Sequence, residues 1–134
     1  MKSTGSIRSI KGKEGREILQ GYRKLIVYQR IMELVELLYG LARKLPPEEK
    51  FGLSSQMRRA AISVISNFVE GYLKKSKLEK DVYLERYINS LHELDAQAEV
   101  CLRLKFWSED AYNKFFNKKS EVGYLLYRYR SKLF

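Results

Sequence analysis

The stretch Ser55-Gln56-Met57-Arg58-Arg59-Ala60-Ala61-Ile62-Ser63-Val64-Ile65-Ser66-Asn67-Phe68-Val69-Glu70-Gly71-Tyr72 carries two patterns at once. Met57, Ala61, Val64 and Phe68 recur at helical steps, with Ile62, Ile65, Val69 and Tyr72 flanking them. Arg59, Ser63, Asn67 and Glu70 recur at the same kind of step, as a row of small and charged groups. No proline interrupts the run. It reads as an amphipathic helix that buries one face and turns a polar row toward a neighbour.

Outward from this helix, the chain divides into three more. Upstream, Leu25, Tyr28, Met32, Val35, Tyr39 and Ala42 form one apolar stripe, and Val27, Ile31, Leu34, Leu38, Leu41 and Leu45 form another. They predict helix 1 over about Tyr22 to Lys44, apolar across roughly 200° of its circumference. That is wider than one bundle core needs, so helix 1 is expected to pack on another subunit as well. Pro46 and Pro47 end it, because the residue before a proline is pushed out of the α region. Ser54 or Ser55 is the expected cap of helix 2, which runs to about Lys75.

Downstream, Ser76-Lys77-Leu78-Glu79 matches a capping box and opens helix 3, which runs to about Lys105. Tyr87, Leu91, Leu94, Ala98 and Cys101 face inward there, joined by Leu84, Ile88 and Leu102. Ser108 with Glu109 and Asp110 starts helix 4, placing acids at the positive end of the helix dipole. Its stripe is Phe115, Val122, Leu126, Tyr129 and Leu133, interrupted at Lys119. Four helices with short links predict an all-α, antiparallel, up-down-up-down bundle over residues 22–134. Residues 1–21, with Gly5, Gly12, Gly15 and Gly21 and a surplus of Lys and Arg, read as a basic, flexible arm.

Composition agrees with a globular chain. Of 134 residues, 45% are hydrophobic and 31% charged, and that length buries a core without disulfides. The single cysteine, Cys101, fits a reducing compartment. No apolar run approaches a membrane span and none follows the start as a secretory signal would, so a cytoplasmic protein with no membrane partner is expected.

Catalytic readings fail on residue supply. A bundle di-metal site needs Glu-x-x-His on two helices, yet the one histidine, His92, has Asn89 three residues before it. Cys101 and His92 lie about 13 Å apart along one helix axis, too far for a thiolate–imidazole pair within a subunit. No Walker A or dinucleotide fingerprint occurs. The expectation is a protein with no enzymatic activity, no catalytic residues, no metal and no cofactor.

The polar row of helix 2 has a counterpart on helix 3 in Arg86, Ser90, Glu93 and Gln97. The two rows can meet between helices, each arginine facing a carboxylate, and fix the register of packing. The expected structural network is therefore Arg59, Ser63, Asn67 and Glu70 with Ser90 and Glu93. Ligand binding is its competing role. Gly71 permits close helix approach.

The same run resembles a known signature. Ser55 to Ser63, then Asn67-Phe68-Val69-Glu70-Gly71, looks like the helix-2 motif of the bacterial four-helix-bundle family that includes proteins encoded by intervening sequences of large-subunit ribosomal RNA genes. Leu25-Ile26-Val27-Tyr28-Gln29, Pro47 to Leu53 and Ser90-Leu91-His92-Glu93-Leu94 are further similarities. Val64-Ile65 stands where that family usually has isoleucine and proline, and Phe68-Val69 where it has isoleucine and alanine. The resemblance implies an antiparallel bundle assembled as a homopentamer, with no known catalytic activity. A sister branch, the accessory proteins of diversity-generating retroelements, assists a reverse transcriptase and binds nucleic acid through a basic surface. It implies a reverse transcriptase as a further partner.

Charge points the same way. The net formal charge is +10, from 26 Lys and Arg against 16 Asp and Glu, a surplus that favours polyanions. The candidate nucleic-acid-binding residues are Arg58, Lys74, Lys75, Lys77, Lys114, Lys118, Lys119, Arg128, Arg130 and Lys132. Those of helix 4 are interleaved with Tyr112, Phe115, Phe116, Tyr127 and Tyr129, which suits stacking on unpaired bases if these rings are exposed. If they are core, the cations only keep the surface soluble. The leading expectation is an RNA- or DNA-binding accessory protein that acts as a homo-oligomer and is associated with ribosomal RNA or a retroelement. The alternative is a structural or interaction module that binds a protein through its charged helix faces.

Overall fold

The computed structural model describes residues 21–133. It consists of four α-helices, α1 (Ile26–Ala42), α2 (Leu53–Leu73), α3 (Lys77–Arg103) and α4 (Glu109–Leu133), with 3-10 turns at Gly21–Lys24 and Pro47–Glu49. There is no strand among the described residues. The expected arm lies outside the described residues except for Gly21.

The helices form a four-helix bundle in which each packs against its neighbours in the chain and α4 closes onto α1. One end gathers the start of α1, the α2–α3 link and the end of α4. Tyr22 meets Tyr72 at 6.1 Å between ring centres, and Phe68 meets Tyr129 at 5.4 Å. At the other end, the Trp107 Nε1–H donates to the Leu41 carbonyl at 2.9 Å.

Helix boundaries differ from expectation where side chains or backbone supply a better cap. Helix 1 begins at Ile26 because Leu25 is extended and ends the preceding 3-10 turn. Neither Ser54 nor Ser55 caps helix 2. Glu49, in the turn that Pro47 opens, reaches forward so that its Oε1 accepts the Leu53 N–H at 3.0 Å. Ser54 is buried instead, with its Oγ 3.5 Å from the Ala42 carbonyl and accepting from Arg58 at 2.6 Å. The capping box of helix 3 forms as expected, with the Glu79 N–H donating to Ser76 Oγ at 3.1 Å. Helix 3 stops at Arg103 because Lys105 turns left-handed (φ 63°). The Phe106 N–H then donates to the Cys101 carbonyl at 2.9 Å, and the Lys105 N–H to Leu102.

The two stripes of helix 1 separate in the structure. Val27, Ile31, Leu34, Leu38, Leu41 and Leu45 are all buried. Of the other stripe, Ala42 is buried, Leu25, Tyr28 and Val35 pack half-buried against the edge of the core, Tyr39 is half-buried, and Met32 is 36% exposed. The apolar surface left over on α1 is thus narrower than the sequence suggests. The core also takes in Trp107, from the α3–α4 link, and it is 2% exposed.

Candidate nucleic-acid interface

The ten candidate cations fall into two groups. Lys74, Lys75 and Lys77 stand at the α2–α3 link, and Arg128, Arg130 and Lys132 in the last turns of α4, at the same end of the bundle. Arg130 bridges the two sets through Asp81 at 2.9 Å. The 3-10 turn before α1 adds exposed Arg23 and Lys24 there. These two were missed because they read as the beginning of a helix and not as part of a patch. The up-down order expected from the short links already implied that the start of helix 1 lies beside the end of helix 4, so that signal was available in the sequence.

The platform beneath these cations is aromatic. Tyr22, Tyr28, Phe68, Tyr72, Tyr87 and Tyr129 are linked by ring contacts of 5.1 to 6.4 Å. Burial pushes the Tyr87 and Tyr129 hydroxyls up, so both stay neutral. Lys80 donates to the Tyr72 carbonyl at 2.7 Å and closes the end of α2, and burial lowers its pKa. Tyr83 carries Lys74 at 5.3 Å and Arg86 at 4.7 Å from its ring centre.

The other four candidates lie elsewhere. Arg58 is bonded to Ser54 near the start of α2. Lys114 is exposed near the start of α4. Lys118 bridges Glu33 at 2.7 Å and Glu121 at 3.0 Å, and these bonds raise its pKa while lowering that of Glu33. Lys119 pairs with Asp95 at 3.3 Å and lies 4.7 Å over Phe116. The interleaved aromatics also divide. Phe115 is core and Tyr129 packs on Phe68, whereas Tyr127 (70% exposed) and Tyr124 (59% exposed) face out.

The polar rows meet only in part. Ser90 Oγ–H donates to Ser63 Oγ at 2.8 Å across the α2–α3 seam, and Asn67 Nδ2 donates to Ser63 Oγ at 3.0 Å. Arg59, Glu70 and Glu93 do not join them. All three are exposed, and the expected arginine–carboxylate pairs across this seam are absent among the described residues. At the Gly71 end of the seam the approach is close, since a Cβ added at Gly71 would come within 2.7 Å of Tyr83 Cβ, which leaves no room there for the neighbouring Glu70 to turn inward. Glu93 instead accepts from Gln97 at 3.3 Å.

Cys101 and His92 face apart. Cys101 is buried with its Sγ 3.7 Å from Met57 Sδ, and burial, followed by Glu49, pushes its thiol up to about 11. His92 is exposed. Among the described residues no three His, Cys, Asp or Glu side chains gather as metal ligands would, and no helix is long and apolar enough to cross a membrane.

Comparisons with known proteins agree with this architecture. A crystal structure of a protein of unknown function from the S23 ribosomal protein family of Bacteroides thetaiotaomicron superposes with a TM-score of 0.72 at 20% identity. The match covers 78% of this chain and 98% of that one, and it establishes a shared fold. No curated protein matches the sequence. Residues 23–128 match the family described as 23S rRNA-intervening sequence protein, a span from the 3-10 turn before α1 into the last turns of α4. The chain belongs to the 23S rRNA-intervening sequence protein family.

Proposed function

We propose that the protein binds RNA or DNA, without enzymatic chemistry, through the basic end of an antiparallel bundle assembled as a homo-oligomer. The observation that carries this reading is the gathering of Arg23, Lys24, Lys74, Lys75, Lys77, Arg128, Arg130 and Lys132 at one end. Among the described residues only Arg130 of these pairs with a carboxylate. Each exposed cation that neutralises a phosphate displaces a counterion condensed on the nucleic acid, and that release is a sequence-tolerant source of affinity. The family description makes ribosomal RNA the first nucleic acid to test.

Assembly multiplies the effect. Exposed Ile26, Met32, Ile62, Val100 and Phe116 offer apolar contact to further copies. In a pentamer, five chains of +10 each would present the same end repeatedly, so weak phosphate contacts act together.

The test is a binding titration with a 23S ribosomal RNA fragment and a DNA of equal length over a salt series. The variant to compare carries Lys74→Glu, Lys75→Glu and Lys77→Glu together. The wild type is expected to weaken steeply with salt, and the triple variant to bind about a hundredfold less tightly with a shallower slope. Full affinity retained at high salt defeats the electrostatic reading. Light scattering that finds a stable single particle of 15.8 kDa at micromolar concentration defeats the assembly.

A further inference from the structure

Helices α3 and α4 meet less closely than α2 and α3, and their seam opens into a groove of about 410 Å³. Ile88 and Leu91 contribute apolar surface from α3, and His92 stands beside them. From α4 come Gly123, Tyr124 and Tyr127. Gly123 leaves the groove without a side chain at its position, where a Cβ would meet nothing within 4 Å. Two ion pairs cross the seam. Asp95–Lys119 at 3.3 Å and Asp81–Arg130 at 2.9 Å involve carboxylates spaced about 21 Å apart along α3 at the helical rise. Beyond Tyr127 lies a second hollow, of about 460 Å³, lined by Asp81, Tyr127, Arg130 and Ser131. Tyr127 therefore borders both hollows while 70% of it is exposed.

We propose that this groove receives an unpaired nucleobase of a single-stranded nucleic acid, stacked on Tyr127, with the adjoining phosphate held at the rim by Arg128. The proposal rests on the basic-end reading and names what that surface selects. Arg128 lies 5.9 Å over the Tyr124 ring, so cation and aromatic are already placed side by side at the rim. Both carboxylates in the seam are matched by a cation, which leaves Arg128, set over the Tyr124 ring that lines the groove, as the surplus charge facing a phosphate chain. An apolar groove with an aromatic face rewards a flat ring removed from water. The bases of a duplex are already stacked on one another and cannot enter. Stacking of this kind tolerates any base, because every base has a π-face.

The test compares a single-stranded oligonucleotide with the duplex of the same sequence, at one salt concentration, by fluorescence anisotropy. The proteins are the full chain, Tyr127→Ala and Gly123→Leu. Gly123→Leu fills the groove from a position with room for a side chain, so it leaves the fold and the basic end in place. Both variants are expected to lose about tenfold in affinity for the single strand and nothing for the duplex. Unchanged single-strand affinity, or an equal loss on both ligands, overturns the groove proposal while leaving the basic end standing. A change in particle mass for Gly123→Leu by light scattering also overturns it, because the groove would then be a contact between copies. If the wild type binds neither ligand, the basic-end reading fails first and takes the groove with it.

Discussion

The α2–α3 seam and the seams of α4 are held by different physics. Between α2 and α3, Gly71 comes up against Tyr83, the Ser90 hydroxyl bonds Ser63, and Lys80 reaches the Tyr72 carbonyl and not a carboxylate. No ion pair crosses that seam among the described residues. Every ion pair that does cross between helices involves α4: Arg30–Glu121, Lys118–Glu33, Lys119–Asp95 and Arg130–Asp81. Where Gly71 meets Tyr83 the backbones leave no room for a charged pair between them, while α4 meets α1 and α3 through ion pairs at its edges. The difference predicts a tightly locked hairpin of α2 and α3, and an α4 whose attachment responds to salt and pH. It also places the adjustable seam where the candidate interface lies.

The largest expected effect comes from forcing the tight seam open. Gly71→Val adds a branched side chain where even a Cβ lies 2.7 Å from Tyr83 Cβ. Overpacking of this kind costs about 2 to 3 kcal/mol, read as a drop in the urea midpoint. An unchanged midpoint would mean that the helices separate at little cost and that the seam is not tight. The hydroxyls come next. Ser63→Ala leaves Asn67 and Ser90 without their shared acceptor and should cost about 1 kcal/mol. Adding Ser90→Ala should cost less than its effect alone, because the bond between the two is already lost. Strict additivity in that double-mutant cycle would show that the hydroxyls are not coupled.

The tight seam was legible in the sequence and the loose one was not. Ser63, Asn67 and Gly71 recur at helical steps facing Ser90, so small residues in register announced a close approach. The arginines of the same rows misled, because spacing shows which face a residue shares but not how much room that face leaves. Trp107 could not be placed either. It falls in a link with no periodicity, and its bond to the Leu41 carbonyl depends on how far the left-handed turn at Lys105 redirects the chain. The ten candidate cations were a sum of charge along the chain. Their division into a basic end and a set of struts comes from the pairing of helices, which brings Lys118 to Glu33 across 85 residues.

Gly123 sharpens the contrast with Gly71, since the same residue type has opposite meaning in the two seams. Nothing stands within 4 Å of a Cβ there, so Gly123→Ala should stabilise the protein by about 0.5 to 1 kcal/mol through helix propensity alone. The check is again the urea midpoint. A loss of stability would show that α3 and α4 close more tightly than the groove between them implies.

The smallest effect is the one that depends on pH. The hydrogen bond from Lys118 holds the Glu33 carboxyl below its ordinary value of 4.5, with the charges of Lys118 and Arg30 adding to it. A carboxylate whose folded pKa is depressed contributes stability above its unfolded value and loses that contribution as pH falls through the folded one. For Lys118 the sign is reversed: its raised pKa contributes below 10.5 and the contribution is lost as pH rises through the folded value. The α1–α4 clasp is therefore complete around neutrality. Glu33 is exposed to solvent, so the effect on global stability is slight and screened by salt. It should appear instead as local opening. Acidification below 4.5 should lower the amide protection factors of α4 more than those of α2, and Glu33→Gln should show that lower α4 protection already at about pH 7. If α2 and α4 respond equally, charge does not distinguish the two seams and the division of labour between them is wrong.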